Sequence, residues 1–593
     1  MKYPEVWELS SIFKGGSESE EFKAFVKETD ELLEKLEAKI GEQEATIEHL
    51  EATIVEIQSY MQRTRQAGAF ISCLTAQDVK DKQATLWQGK MTEQRTKLSA
   101  IWGSIEEDLA ALSAEKWNEL ISRPALNGVT FNLEERRQQA MEKLPPAEEK
   151  LAGQLAIDGY HAWGNVYNEA VGRMQVPFEE NGEEKLLSAG QLQNRLNSDD
   201  RAVREKAFDV SEQAWAKESD LFASTLNHLA GFRLNLYKAR GWEEVLKEPL
   251  QINRMQEKTL SAMWDTITEN KPKFYDFMAR KASLLGVDKL AMHDVSAPLP
   301  VEGDATISYE DACDLIIKHF KPLSPKLATF TEGALRDGWI EAEDRAGKRP
   351  GGFCTSFPLT KQSRIFMTYD GTMANVATLA HELGHAYHSH CLKDMEPFAQ
   401  QYAMNVAETA STFAENIIGD ALVKEAPTED VKIALLESKI SRSLAFFMNI
   451  HSRFLFETRF YEARKEKLLS VEELNSLMTE AQKEAYGNQL SNYSPTFWAS
   501  KLHFHITGVP FYNFPYTFGY LFSLGIYKKA LEKGSSFEDD YIALLQDTAS
   551  MTVEDLAQKH LNVDLTKPDF WQEAIDVVLA DVDEFMALTS KVK

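Results

Sequence analysis

A chain of 593 residues exceeds what one hydrophobic core can serve, so two or more domains are expected. Its composition, 43% hydrophobic and 26% charged, excludes disordered and fibrous classes, and a formal net charge of −27 disfavours both nucleic acid and anionic membrane surfaces as partners. The opening residues carry no basic segment followed by an apolar run, and no stretch approaches the ~18 apolar residues of a membrane span. Cys73, Cys313, Cys354 and Cys391 show no paired spacing, which suits free thiols and a cytoplasmic location.

Along the chain, Leu33, Leu36, Ile40, Ile47, Leu50, Ile54, Ile57 and Met61 alternate steps of three and four, with Gln43 breaking the series. This heptad seam fits a dimerising coiled coil or a long helix packed in an intramolecular hairpin, and the pattern alone does not choose. Monomer and homo-oligomer both stay open. Helical patterns continue through ALSAEKWNELISR and from LLSAGQLQNRL to Tyr237, with breaks near Asn127–Asn132, Leu144–Ala147 and Asn181–Gly182. Arg364–Tyr369 reads as a strand. Asp370-Gly371 then turns, Thr372 can cap, and MANVATLAHELGHAYHSHCL reads as a helix. Helix dominates from there almost to the end, so a mainly α protein with a small sheet beside the histidines is expected.

HELGHAYHSH holds four of the chain's thirteen histidines. His381 and His385, four apart with Glu382 between, form H-E-x-x-H, in which one helical turn aims two imidazoles at one ion and sets a glutamate beside its water. Val376, Leu379, Leu383 and Ala386 fall on the opposite face, leaving one side to pack and the other to bind. A catalytic zinc needs a third protein ligand. His388 and Cys391 stand where a metzincin requires Gly and His, which excludes that class. Asp394 and Glu396 sit too close to Pro397 to belong to a second packed helix. Glu408 opens an amphipathic segment and is the expected ligand, with Glu415 two turns later orienting an imidazole. His388 is the rival ligand, but three imidazoles over ~10 Å of helix strain one ion's reach. A supporting hydrogen bond suits it better. His390 is read as structural.

HELGHAYH followed by AETASTFAE resembles the zinc metallopeptidases of the thimet oligopeptidase and oligoendopeptidase F family. The resemblance extends to IFMTYDGTMANVATLAHELGH, to WASKLHFHITGVPFYNFPYTFGYLFSLG, and to the opening VWELSSIF, which is similar to the oligoendopeptidase F branch. It implies one Zn2+ per chain held by His381, His385 and Glu408, with Glu382 as general base. It also implies that a histidine and tyrosines meet the scissile carbonyl. His503, Tyr512, Tyr516 and Tyr520 occupy similar positions, and His505 competes with His503. Tyr516 is assigned to substrate binding and the others to catalysis. The family implies a helical shell enclosing a substrate channel, with residues 1–190 as a helical wall and 191–593 as the catalytic domain. Short unstructured peptides would enter and folded proteins would not. The strand with Ile365, Met367 and Tyr369 is expected to offer a sheet edge to an extended peptide. GTMAN is similar to an aminopeptidase element, but Ala374 replaces the glutamate that would hold a free amine. A zinc exopeptidase and a non-catalytic zinc- or peptide-binding scaffold are the alternatives.

Overall fold

The computed structural model describes residues 2–42, 46–180, 182–299 and 306–590. It is mainly helical, with two small sheets. Strands β1 (Val176–Glu180) and β2 (Glu183–Leu187) form an antiparallel hairpin. Strands β3 (Ile340–Glu341), β4 (Phe353–Phe357) and β5 (Gln362–Phe366) form the other sheet in the order β3-β5-β4. The chain divides into two compact units, each gathered from three stretches. One unit combines Met1–Lys143, Asp304–Ala421 and Ile526–Asn562; the other combines Leu144–Gly303, Leu422–Gly525 and Val563–Lys593. The expected division after residue 190 falls inside the stretch Leu144–Gly303. Chain order misleads here because helices distant in sequence share one core.

In the first unit, α1 (Glu20–Glu42), α2 (Ile47–Gln77) and α3 (Lys82–Ala111) pack on one another. Leu33, Leu36, Leu50, Ile54 and Ile57 are buried together with Leu98, Ile101, Ile105 and Leu109 of α3. The heptad seam is therefore covered from within the chain, the hairpin alternative. Gln43 lies outside the described residues. Thr46 caps α2, its side chain accepting from His49 N.

The three-stranded sheet in the same unit has β5 at its centre. β4 pairs with it antiparallel, from Phe353↔Phe366 to Phe357↔Gln362. On its other side β5 runs parallel to β3, and Met367 N and Tyr369 N continue the ladder by donating to Glu341 O and Ala342 O at 2.9 and 2.8 Å. The expected edge at Arg364–Tyr369 is thus an interior strand, with Ile365, Met367 and Tyr369 buried. The Tyr369 hydroxyl donates to Ile307 O at 2.9 Å. A hydrophobic run at sheet centre and one at sheet edge read alike in sequence. The outer strands are β3, beside which Ala342 N donates to Glu5 O of the opening segment at 2.7 Å, and β4. The opening segment braces this sheet: Trp7 packs on Phe366 with centroids 5.7 Å apart. Buried Arg364 donates Nε to Glu8 O at 2.7 Å and Nη2 to Ser11 Oγ at 3.1 Å.

The second unit holds the β1–β2 hairpin and a helical core. Leu186 and Leu187, expected to begin a helix, belong to β2, and the helix starts at Ala189 behind a Ser188–Gln191 capping box. Gly182 follows β1 at φ +79°, a backbone region open to glycine, while Asn181 lies outside the described residues. Helix Glu257–Leu284 packs against helix Pro568–Thr589, Phe277 meeting Phe585 at 4.9 Å. Lys281 Nζ and Glu437 Oε1, both buried, pair at 2.5 Å.

Candidate active site

Helix α4 (Met373–Leu392) begins where local chemistry dictates. Gly371 takes φ +87°, Asp370 Oδ1 accepts from Thr372 N at 3.0 Å, and Thr372 Oγ1 accepts from Asn375 N at 3.3 Å. Val376, Leu379, Leu383 and Ala386 are all fully buried, so the opposite face is left to His381 and His385. Their side chains remain about one-fifth exposed.

Glu408 sits at the junction between the short helix Met404–Ala407 and α5 (Thr409–Lys424). Its Oε2 lies 3.2 Å from His381 Nε2 and 3.4 Å from His385 Nε2. One ligand atom from each of the three residues falls within 4.8 Å of the others. A tetrahedral ion with bonds of ~2.0–2.2 Å separates its ligand atoms by about 3.4 Å, so this donor set fits zinc. His381 Nδ1 meets Glu415 Oε2 at 3.0 Å, which turns Nε2 toward the centre. Ser411 Oγ donates to Glu408 Oε2 at 2.7 Å. Burial pushes the Glu408 carboxyl up, but hydrogen bonds from His381 and His385 outweigh it and hold the group ionised.

Gly384 explains how α5 comes so near. A Cβ there would meet Ala410 O at 2.5 Å and Ser411 Cα at 2.6 Å. Only a bare backbone permits that approach, two residues from Glu408. A glycine in mid-helix costs about 1 kcal/mol against alanine, and that cost was the available sequence signal. Gly384→Ala should destabilise the fold by about 1–3 kcal/mol and lower metal occupancy. Thermal melts alongside metal analysis check it, and an unchanged melt would contradict the contact.

Glu382 is buried, its Oε2 without a hydrogen-bond partner. Burial raises its pKa; His385 and His381 work against the rise, and Glu408 adds to it. Its Oε1 lies by the start of β4, 3.7 Å from where a Cβ on Gly352 would stand. A buried carboxylate oxygen with no partner costs about 1–3 kcal/mol or more and marks a position kept for something other than stability.

His388 is not part of this centre. It is fully buried, Nε2 sits 2.9 Å from Thr548 Oγ1, and the ring stacks on Tyr402 at 4.3 Å. Burial drives its pKa down to about 3, so it is a neutral core imidazole. Both expected roles, rival ligand and support of the site, are corrected. Seven residues is close to two helical turns, but side-chain direction sends His388 into the core. His390 packs on Phe330 at 4.7 Å.

In the second unit, His503, Tyr512 and Tyr516 gather. His503 lies 5.7 Å from Tyr512 and 6.4 Å from Tyr516, and the tyrosines are 5.7 Å apart. All three are partly exposed. Arg453 Nη1 approaches His503 Nδ1 at 3.5 Å, and burial, then Arg453, lower the imidazole pKa to about 4. No sequence signal pointed to Arg453. His505 goes to the core, stacked on Tyr167 at 3.8 Å. Tyr520, expected among the catalytic groups, also lies in the core. It stacks on Phe446 at 4.3 Å, and its hydroxyl shares a 2.6 Å hydrogen bond with Ser443 Oγ. One turn beyond Tyr516 it keeps nearly the same helical face, but there Phe446 and Ser443 cover it.

Two imidazoles on one helix, a carboxylate from the next and a buried glutamate beside them form the donor set of a single-metal hydrolase of the H-E-x-x-H class. Peptidase family M3 matches residues 195–577, and the oligopeptidase F N-terminal family matches residues 108–175. The chain belongs to peptidase family M3, on its oligopeptidase F branch, and is a metallopeptidase. Oligopeptidase PepF of Bacillus subtilis (strain 168) is 26% identical over 423 residues, a match spanning 70% of this chain and 62% of that relative. An oligoendopeptidase F homolog of Lactococcus lactis subsp. lactis (strain IL1403) is 23% identical over 598 residues, 99% of this chain and 97% of the relative. In fold, the chain is similar to a Chlamydophila abortus structure, with a TM-score of 0.83, 20% identity and 98% of each chain covered. The oligoendopeptidase-F structure from Enterococcus faecium gives a TM-score of 0.69 at 20% identity, covering 96% of this chain and 99% of that one. Among the described residues, no helix is long and apolar enough to cross a membrane.

Proposed function

We propose that this chain is a zinc-dependent oligoendopeptidase that hydrolyses internal bonds of short, unstructured peptides. The observation that carries the reading is the convergence of His381, His385 and Glu408 within 4.8 Å, beside the buried and unpartnered Glu382. When bound, zinc supplies a Lewis acid that polarises a carbonyl and lowers the pKa of water to about 7. Glu382 then takes the water proton on its free carboxylate oxygen and passes it to the departing amine, a role its raised pKa suits. Glu415 keeps His381 in the tautomer that presents Nε2.

An extended peptide would pair with β4, which has β5 on one side only. Such pairing reads backbone rather than side chains and needs neither terminus. His503, Tyr512 and Tyr516 are assigned hydrogen-bond donation to the carbonyl oxygen as it gains charge. Tyr516→Phe should lower kcat about 10-fold or more, whereas Tyr520→Phe should leave kcat near wild type and cost about 1 kcal/mol of stability through the lost bond to Ser443. Steady-state kinetics with thermal melts separate the two.

The test of the whole reading is a quenched fluorescent peptide with both ends blocked, assayed with and without chelator beside an unblocked copy and a folded protein. Chelator-sensitive internal cleavage of both peptides, with the folded protein intact, is expected. Cleavage confined to an unblocked terminus would make the enzyme an exopeptidase, and chelator-insensitive cleavage would remove the metal.

A further inference from the structure

A cavity of about 340 Å³ lies beside β4, between α2 and the turn after α4. Its wall includes Met61, Gln62, Arg65, Arg95, Thr355 and Gln401 and contains no Asp or Glu. In a chain with 92 acidic and 65 basic residues, that sign is unusual. Arg65 is exposed and has no hydrogen bond or ion pair with the described residues. Arg95 donates only to the neighbouring Thr92 Oγ1, at 3.3 Å. By contrast, the exposed Arg173 and Arg336 each pair with a carboxylate, Glu169 at 3.0 Å and Asp337 at 3.4 Å.

The cavity is also placed along the path proposed for the peptide. Gly352, at the head of β4, adjoins Glu382, and Thr355 lines the cavity three residues further on, ~10 Å along an extended strand. The half-buried Cys354 thiol between them, raised first by desolvation, feels both the Glu382 carboxylate and the Arg65 guanidinium. An extended substrate following β4 would thus bring a residue roughly two to four positions from the cleaved bond to the arginines. The chain's overall charge repels anionic peptides, so a local pair of guanidiniums would act against that field.

We propose that Arg65 and Arg95 form a carboxylate-binding subsite, selecting peptides with an acidic side chain or a free C-terminal carboxylate lying along β4. The inference rests on the oligoendopeptidase reading above. Guanidinium fits a carboxylate through paired N–H donors, and a charge-assisted hydrogen bond contributes enough for about a 10-fold preference.

The experiment uses blocked fluorogenic peptides with a single Glu scanned through each position, each beside its Gln isostere, plus one neutral peptide ending in a free carboxylate or an amide. For the wild-type enzyme, kcat/KM should favour at least one carboxylate-bearing member about 10-fold, and the scan assigns the side-chain or terminal source. Arg65→Gln with Arg95→Gln should bring the ratio to about one, and Arg65→Glu should turn the preference toward a Lys-bearing peptide. Lys35→Gln, which removes the same charge at an exposed site on α1, should keep the wild-type ratio. A wild-type ratio near one throughout, or a preference surviving the double substitution, overturns the subsite. If no peptide is hydrolysed, the peptidase reading fails separately. The subsite is still read as the Kd ratio of Glu and Gln peptides for the zinc-loaded Glu382→Gln chain.

Discussion

Glu382→Gln should retain zinc and lose hydrolysis by roughly 100-fold or more. The amide keeps the shape of the carboxylate and leaves His381, His385 and Glu408 in place, so metal content should match the wild type while proton transfer is gone. The same change bears on stability. Burial raises the Glu382 pKa in the folded state, so ionising it opposes folding. That penalty is absent below the ordinary carboxylate pKa and sets in as pH rises toward the raised value. Near neutrality the metal-free Gln variant should therefore melt no lower than wild type. Zinc analysis, turnover and melting curves on one preparation test these statements together. Normal turnover by the variant would remove Glu382 from the mechanism.

Glu408→Ala should strip the metal, whereas His388→Ala should keep it. Glu408 supplies one of three converging donor atoms, and losing it should weaken zinc binding by more than the roughly 10–100-fold typical of a supporting residue. Activity would follow occupancy and recover in part at high zinc. His388 is buried against Tyr402 and Thr548, so its truncation leaves a cavity and removes one hydrogen bond from a hydroxyl that still donates to Leu545 O at 2.7 Å. The expected cost is about 2–4 kcal/mol of stability, with zinc stoichiometry near one. Glu415→Gln should fall between the two in metal affinity, because His381 would lose the partner that aims it. If Glu408→Ala held zinc as tightly as wild type and His388→Ala did not, the donor assignment would be wrong.

By itself the sequence determined the helix that carries His381, Glu382 and His385, and the family of the chain. The Asp370–Thr372 turn and cap, the apolar face at Val376, Leu379, Leu383 and Ala386, and the spacing of His381, Glu382 and His385 all follow from bonds and periodicities within a few residues of one another. Glu408 was reachable for a similar reason, since it opens the next amphipathic segment. Tertiary structure decided the rest. It set β5 between β3 and β4, so that Ile365, Met367 and Tyr369 became interior and the outer positions passed to β3 and β4. Strand order depends on partners distant in the chain, which a local hydrophobic run does not encode. It sent His388, His505 and Tyr520 into the core while leaving His503, Tyr512 and Tyr516 together, because helical phase tells which residues share a face but not what covers that face. It also gave Gly384 its purpose, since a missing side chain shows its value only against the backbone of Ala410 and Ser411 that occupies the space.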